Sequence, residues 1–422
     1  MNKNFCYAPF VHMYLHDKHD KKLCCLSNDS HDTSIETIPN NFKEYWSSSF
    51  YQSVRKKMLN NEYVENCTHC YKQEANGEFS ERDRYTMMFG DKNIQPDIIY
   101  GNQYKTPIDL ELRPGNLCNL KCRMCSPNAS SQIEKEVNNN KDMLLPIYTH
   151  HNDMITDAFL NLSEENIEYL LSNAEHINQI KLLGGEPTIM PETIAILELL
   201  LEKKLLNMTI HVTTNCTNAN ERFLELIKNF NVCYNFSIDG SGKTLEYIRY
   251  PINFNKLEEN MQILCQGVQD SNAQILYTLQ AYSLPNLVDF LTWVIKMHDL
   301  LQENNNTPDD LELIVSDLVG PEWASIQSLP LDKRNEWIDN ALHSKIINRF
   351  SSNIDEVIAS NFRLIKSNIT EVLTRLRNDT TEHSIDGFVD VTKRFDTVRK
   401  QHIKDFIPEL WEIIHIYYKQ NG

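Results

Sequence analysis

From residue 107 onward, short apolar segments alternate with longer segments whose apolar residues recur at helical spacing. This alternation predicts an α/β fold with a parallel sheet and right-handed crossovers. Six units indicate a partial (β/α)6 TIM-like barrel, with functional sites at the carboxyl ends of the strands. The predicted strands are 107–113, 178–183, 208–214, 232–238, 273–282 and 311–315, and the helices between them include 163–174, 191–204, 220–229, 256–268 and 286–300.

The segments on either side of this alternation have a different texture. Residues 1–90 show no strong helix or strand rhythm and are rich in His, Cys and Asn, so a bound metal would help to stabilise them. We predict a Cys-rich module at 1–90, a linker at 91–106, the α/β core at 107–320 and a helical extension at 321–422.

Charge and hydropathy narrow the classes of function. The 422 residues carry a formal net charge of -17, which argues against a broad electrostatic grip on nucleic acid. The chain starts without an apolar export signal and has no apolar run of about 20 residues, so we expect a cytoplasmic protein without a membrane partner. The eleven cysteines are then more typical of metal ligands or catalytic groups than of disulfides.

Three cysteines follow the first predicted strand with the spacing C-x3-C-x2-C. They are Cys118, Cys122 and Cys125, in the segment NLCNLKCRMC. Thiolates are the usual ligands of iron–sulfur clusters, and three thiolates on a four-iron cluster leave one iron open to another ligand. A zinc site or part of a plant-type [2Fe–2S] pattern is the alternative interpretation of the spacing alone.

The next predicted strand ends in LGGEP, residues 183–187. Gly184 and Gly185 have no side chains, so their backbone groups can approach a ligand closely. We expect them to line a cofactor, and we expect the Glu186 carboxylate to meet an ammonium group.

CNLKCRMC followed by GGEP resembles the radical S-adenosylmethionine (SAM) superfamily. The resemblance implies a [4Fe–4S] cluster whose open iron is chelated by SAM. It also implies that one electron, from a donor such as flavodoxin or ferredoxin, cleaves SAM to a 5′-deoxyadenosyl radical, which abstracts a hydrogen atom from the substrate.

The resemblance covers roughly residues 107–300 and assigns further residues to the cofactor. Arg249 matches an arginine that pairs with the SAM carboxylate, and Met124 stands where an aromatic side chain usually flanks the adenine. The other implied contacts are Pro187, Thr213, Asn215, Ser237, Asp239 and Gln280. Cys216 replaces the usual glycine of a TNG strand end, and we consider it a candidate hydrogen-atom donor.

A second group of cysteines lies near the amino terminus. Cys6 and Cys24 precede a C-x2-C pair formed by Cys67 and Cys70, and Cys25 adjoins Cys24 as a spare. The group resembles a twitch module, the half-size relative of SPASM domains, which implies an auxiliary [4Fe–4S] cluster. The order differs, because such modules usually follow the core. A four-cysteine zinc knuckle is the alternative.

The predicted function is SAM-dependent radical hydrogen abstraction by an enzyme of the oxidoreductase or peptide-modifying class. We favour a peptide or protein substrate, because relatives with twitch or SPASM modules often modify peptides. The alternatives are a small-molecule substrate, such as a sugar or nucleotide, and a non-catalytic iron–sulfur or zinc protein that binds a partner.

Overall fold

The structure is a computed structural model that describes most of the chain. The described residues are 3–16, 22–28, 41–75, 77, 79–90, 106–148, 163–172, 174–266, 272–303, 311–318, 320–349 and 369–421. Most of the predicted linker at 91–106 lies outside them.

Seven strands form one sheet in the order of the chain, β1 to β7. The register is resolved for four neighbouring pairs, β1–β2, β2–β3, β5–β6 and β6–β7, and all four pairs are parallel. The strands are β1 (His12–Leu15), β2 (Asp109–Leu112), β3 (Gln179–Leu182), β4 (Thr209–Thr214), β5 (Asn231–Ser237), β6 (Asn272–Leu279) and β7 (Leu311–Asp317). The α/β class is therefore confirmed.

The sheet has one strand more than the pattern predicted. The six predicted strands are β2 to β7, and β1 comes from the segment for which no strand was predicted. His12 of β1 stands opposite Asp109 of β2, and Leu15 stands opposite Leu112. All four residues of β1 are buried, so the strand shows no alternation of apolar and polar side chains.

Helices connect the strands and continue beyond the last one. Ser163, Asn220 and Ser130 cap their helices by accepting hydrogen bonds from backbone N–H groups of the first turn. Helices of eight or more residues are Ser49–Leu59, Thr68–Ala75, Glu81–Phe89, Ser131–Asn139, Glu164–Leu171, Pro191–Glu202, Phe254–Gln266, Leu287–Glu303, Leu331–Leu342, Ile385–Arg399 and Pro408–Asn421. Residues 369–378 are also helical. Shorter helices are Ala8–Val11, Phe42–Trp46, Lys141–Leu144, Glu221–Ile227, Gly242–Ile248 and Lys345–Arg349.

The contacts divide the chain into two compact units. The first unit comprises Met1–Gly115, Thr156–Gly184 and Pro191–His211, and it holds β1 to β3 with the start of β4. The second comprises Asn116–Ile155, Gly185–Met190 and Val212–Gly422, and it holds the end of β4 with β5 to β7. Each unit is built from three separate segments. The boundaries expected at residues 90, 106 and 320 remain predictions.

Burial alternates along β6. In β6, Ala273, Ile275, Tyr277 and Leu279 are buried, whereas the residues between them are half-buried. Among the described helices, none combines the length and the apolar character that crossing a membrane requires.

Candidate functional site

The core cysteine loop, residues 116–130, lies between β2 and helix Ser131–Asn139. Hydrogen bonds hold its backbone at several points: the N–H of Lys121 donates to the Tyr250 carbonyl at 2.6 Å, and the N–H of Arg123 donates to the Ile248 carbonyl at 2.8 Å. The loop therefore has a defined path although it contains no helix or strand.

The three thiols of this loop lie within electrostatic reach of one another. Burial raises the pKa of Cys122, and Cys125 and Cys118 add to the rise, whereas Arg249 opposes it. Burial and Cys125 likewise raise the pKa of Cys118, to about 11. Cys118 and Cys122 are buried and Cys125 is half-buried. Such thiols are costly to ionise alone, and a bound metal reverses that preference.

Hydrogen-bond donors lie close to the sulfur atoms of Cys118 and Cys122. The N–H of Leu120 lies 3.5 Å from the Cys118 sulfur, and the side-chain amide of Asn215 lies 3.9 Å from it. The Arg249 guanidinium lies 3.9 Å from the Cys122 sulfur. Hydrogen bonds to thiolate ligands are one of the means by which proteins tune iron–sulfur clusters.

The three thiols are a donor set that iron–sulfur clusters use. Among the described residues, no three His, Cys, Asp or Glu side chains are close enough to share one metal ion. Tetrahedral zinc with bonds of about 2.3 Å would require sulfur atoms roughly 3.8 Å apart. The thiolates of a four-iron cluster bind different irons, so they do not need this closeness.

The two glycines of GGEP have distinct backbone requirements. Gly184 adopts a φ of 134°, a conformation that residues with a side chain rarely adopt. A Cβ on Gly185 would lie 2.1 Å from the Leu117 carbonyl oxygen, so only glycine fits there. The N–H of Glu186 also donates to that carbonyl, at 2.8 Å. Gly185 thus lets the GGEP segment pack directly on the core cysteine loop.

The carboxylate of Glu186 is engaged by neighbouring groups of the protein. Its carboxylate is fully buried. One oxygen accepts from the N–H and hydroxyl of Thr188 and from the hydroxyl of Thr214, at 3.1, 2.6 and 2.7 Å. The other oxygen accepts from the N–H of Asn215, at 2.7 Å. The carboxylate is therefore used to join the GGEP turn to the end of β4, which leaves little capacity for an ammonium group.

Arg249 and Asp239 form an ion pair. The Nε and Nη2 atoms of Arg249 both lie 2.7 Å from one Asp239 oxygen, and the other oxygen accepts from the N–H of Thr278 at 3.1 Å. Two of the predicted SAM contacts are thus paired with each other.

Among the remaining predicted residues, Gln280 has the strongest indication of a ligand. It is fully buried, and neither atom of its side-chain amide has a hydrogen-bond partner among the described residues. A buried amide without partners is costly, and a polar ligand group would satisfy it. The predicted residues at nearby strand ends and loops are half-buried or buried and carry no such signal: Met124, Pro187, Thr213 and Ser237.

The position of Cys216 argues against the predicted role of hydrogen-atom donor. Its sulfur is fully buried and points to the carbonyl of Leu257, 3.8 Å away, on the helix Phe254–Gln266. Cys216 also has a φ of 60°. That left-handed conformation explains why glycine is usual here, and a donor would need access that this sulfur lacks.

The amino-terminal cysteines come together within the first unit. Burial raises the pKa of Cys6, and the nearby Cys67 and Cys70 raise it further. Burial raises the pKa of Cys24, with contributions from Cys6, Glu81 and Cys67. Burial and the nearby Cys70 raise the pKa of Cys67 to about 12. The four predicted ligands therefore form one electrostatic group.

Cys25 lies apart from this group. Its thiol faces Glu81 at 4.0 Å, and burial raises its pKa, with contributions from Glu81, Glu111 and Cys24. The choice of Cys24 as the ligand stays a prediction from the sequence.

Sequence reasoning missed the residues that support these sites. Thr188 and Thr214 hold Glu186, and Arg123, which follows Cys122 in the chain, is fully buried. A charged residue directly after a ligand cysteine was the available signal for Arg123. The two threonines gave no signal in the sequence.

Comparisons with solved structures give only distant similarities. The chain is similar to anSMEcpe with bound AdoMet and Kp18Cys peptide, at 18% identity over 56% of this chain and 59% of that chain, with a TM-score of 0.35. It therefore spans less than two thirds of that protein. SuiB of Streptococcus suis has 16% identity over 76% of this chain and 66% of its own, with a TM-score of 0.34.

Comparisons of sequence are more specific. No curated protein matches the chain. The sequence profile of the Radical SAM superfamily matches residues 112–279, which include the core cysteine loop and GGEP. The similarity of this chain to the radical SAM superfamily therefore rests on residues 112–279.

Proposed function

We propose that this chain is a radical SAM enzyme in which Cys118, Cys122 and Cys125 hold a [4Fe–4S] cluster with one iron open to SAM. The observation that carries the proposal is the close packing of GGEP on the core cysteine loop. The absent side chain of Gly185 makes room for the Leu117 carbonyl, one residue before Cys118. The two motifs thus form one site, as a cofactor bound to a cluster requires.

When bound, a [4Fe–4S] cluster and SAM would supply one-electron reductive cleavage of SAM and abstraction of a hydrogen atom from the substrate. The protein holds the reactants and excludes water. Glu186 orders the GGEP turn, Asn215 and Arg249 direct donors to the cluster ligands, and Gln280 offers its buried amide to the bound cofactor or substrate.

We further propose that Cys6, Cys24, Cys67 and Cys70 hold an auxiliary [4Fe–4S] cluster. Four buried or half-buried thiols that influence one another support this assignment over a role as separate core residues. A cluster held by these residues would supply electron transfer for substrate oxidation. A peptide or protein substrate is the class that the resemblance to a twitch module favours.

Anaerobic reconstitution tests the proposal. The purified protein should bind about eight irons per chain and should form 5′-deoxyadenosine when it is reduced in the presence of SAM. Four irons together with one zinc would refute the auxiliary cluster and leave the SAM site intact. Zinc without iron, or iron without 5′-deoxyadenosine, would refute the enzyme.

A further inference from the structure

Arg123 separates Cys122 from Met124 in the core cysteine loop, and its side chain is fully buried. Its guanidinium lies 3.5 Å above the Tyr247 ring, and its Nε donates to the Tyr247 carbonyl at 3.1 Å. Its Nη2 donates to Asp396 at 2.6 Å and to Gln401 at 3.2 Å. Arg123 therefore connects the loop to the carboxyl-terminal helix Ile385–Arg399 and to the turn that follows it.

Asp396 is held as firmly as the arginine that it contacts. The oxygen that faces Arg123 also accepts from the Tyr247 hydroxyl at 2.7 Å. The other oxygen accepts from the N–H of Ile403 at 2.9 Å. With this network, Asp396 can hold the arginine in one orientation.

A second ion pair connects the same helix to the region of the loop. Arg399 donates to Glu136 at 2.8 Å, and both side chains are buried. Glu136 also pairs with Lys121 at 3.3 Å. Lys121 precedes Cys122 and Arg123 follows it. Arg123 contacts the carboxyl-terminal helix directly, and Lys121 is linked to it through Glu136.

Apolar packing reaches the third cysteine of the loop. Phe395 and Val391 of the carboxyl-terminal helix belong to a cluster with Tyr148, against which Cys125 packs. The Tyr148 hydroxyl donates to the Cys125 carbonyl at 3.2 Å. The helix therefore contacts the loop at two places: next to Cys122, through Arg123, and at Cys125, through the apolar cluster.

Stability alone does not account for this arrangement. Burying an ion pair such as that of Arg399 with Glu136 is costly, and apolar residues of the same volume often stabilise a protein as well or better. A buried ion pair does define one geometry, because its partners tolerate few alternatives.

We propose that helix Ile385–Arg399 positions the cluster ligands. Asp396 and Arg399, acting through Arg123 and Glu136, hold the core cysteine loop in the conformation in which its thiols bind one cluster. They are positioning residues, since neither touches the cluster or SAM. The inference rests on the proposed function, because it assumes a cluster at Cys118, Cys122 and Cys125.

The test compares Asp396→Ala with Asp390→Asn. Asp390 lies on the same helix but is exposed and pairs with Arg394 at 2.6 Å. Asp396→Ala should lose about four irons per chain relative to the parent after anaerobic reconstitution. The iron that remains should not change its electron paramagnetic resonance signal when SAM is added. Asp390→Asn should match the parent in both measurements.

Two further variants separate positioning from folding. Asp396→Asn keeps the shape of the side chain and should release core iron to a chelator at least about tenfold faster than the parent. Arg123→Lys keeps the charge, but the lysine cannot reach all the partners of the arginine. Its rate of iron release should therefore lie between the rates of the parent and of Asp396→Asn.

The inference is overturned if Asp396→Ala and Asp396→Asn keep the parent's iron content, chelator rate and SAM-dependent signal, even when their melting temperatures are lower. The helix would then only stabilise the unit. A parent protein that binds no iron would instead refute the proposed function.

Discussion

The two cysteine groups differ in how the chain brings them together. The core group places three cysteines within eight residues of one loop. The amino-terminal group collects four cysteines from 65 residues. Cys6 precedes a short helix, Cys24 lies in a bend, Cys67 ends the 3-10 helix Glu65–Cys67, and Cys70 lies in the helix Thr68–Ala75. The first arrangement is visible in the spacing, whereas the second depends on tertiary contacts.

The groups also differ in the number of thiols they supply. Cys216, the next cysteine along the chain, turns its sulfur to a helix carbonyl and does not complete the core group. Three thiols leave one iron of a four-iron cluster open, whereas four thiols can occupy every iron. The core group therefore suits a site that binds a cofactor, and the amino-terminal group suits one that passes electrons.

Removing one cysteine from each group should produce the largest difference. Cys122→Ala should lower reductive cleavage of SAM by roughly a thousandfold or more, because the open iron is lost with its cluster. Cys70→Ala should keep cleavage within about threefold of the parent but lose product formation. 5′-Deoxyadenosine and iron are measured side by side.

The matched control is Cys265→Ala, which removes a buried cysteine that belongs to neither group. It should leave iron and cleavage unchanged. If a folded Cys70→Ala variant loses as much SAM cleavage as Cys122→Ala, the proposal that only the core group is needed for SAM cleavage is wrong.

Glu186→Gln tests the role that the structure gives to this carboxylate. The N–H groups of Thr188 and Asn215 donate to different oxygens, so an amide NH2 must face one of them. An unsatisfied buried donor costs about 1–3 kcal/mol, and the disturbed turn should weaken SAM binding roughly ten- to a hundredfold.

Urea unfolding and SAM titration of Glu186→Gln distinguish two explanations. The control is Glu192→Gln, an exposed glutamate in the first turn of the next helix. Weak SAM binding with an unchanged unfolding midpoint would show that Glu186 contacts SAM directly, as the sequence suggested, and that the hydrogen-bond network is not its main role.

The sequence predicted those parts of the molecule that depend on local patterns. Six strands and the core cysteine loop follow from short-range periodicity and spacing. The strand His12–Leu15 was not predicted from its periodicity, because it has only four residues, is buried throughout and contains a histidine.

The partners of the site residues were not predictable for a different reason. Glu186 is held by a residue two positions away and by the end of the neighbouring strand, and Arg123 by an aspartate 273 positions away. Such pairings depend on strand register and helix packing, and spacing along a single sequence contains no record of them.

The amino-terminal unit should be the more acid-sensitive, because the pKa values of its buried carboxyl groups, those of Asp109 and Glu111, are lowered. Burial alone would raise the pKa of Glu111, but the hydrogen bond from His16 at 2.7 Å and the charges of His16 and Lys181 lower it to about 2. A lowered pKa contributes stability above the ordinary value of about 4.5, and this stability is lost as the pH falls through the folded value.

The contribution of Glu111 is on the order of 3 kcal/mol at most. Glu111→Gln should therefore unfold in urea with a weaker pH dependence between about pH 4.5 and 2. Glu221→Gln, at an exposed position of the second unit, should retain the dependence of the parent. If the parent and Glu111→Gln show the same pH dependence of unfolding, Glu111 does not make the amino-terminal unit acid-sensitive.

Cys216 gives the smallest expected effect and the most direct check on the three-thiol core group. Its φ of 60° costs any residue with a Cβ, so Cys216→Gly should be more stable than Cys216→Ala by about 1 kcal/mol. Both variants lose the same buried sulfur, so their difference in urea unfolding isolates the backbone. Both should cleave SAM within about twofold of the parent, because the sulfur lies against Leu257 and away from solvent. If Cys216→Ala binds four irons fewer, the core group has a fourth thiol and no open iron. If it cleaves SAM but stops product formation, the thiol takes part in hydrogen transfer, and its buried position in the structure is not the one that functions.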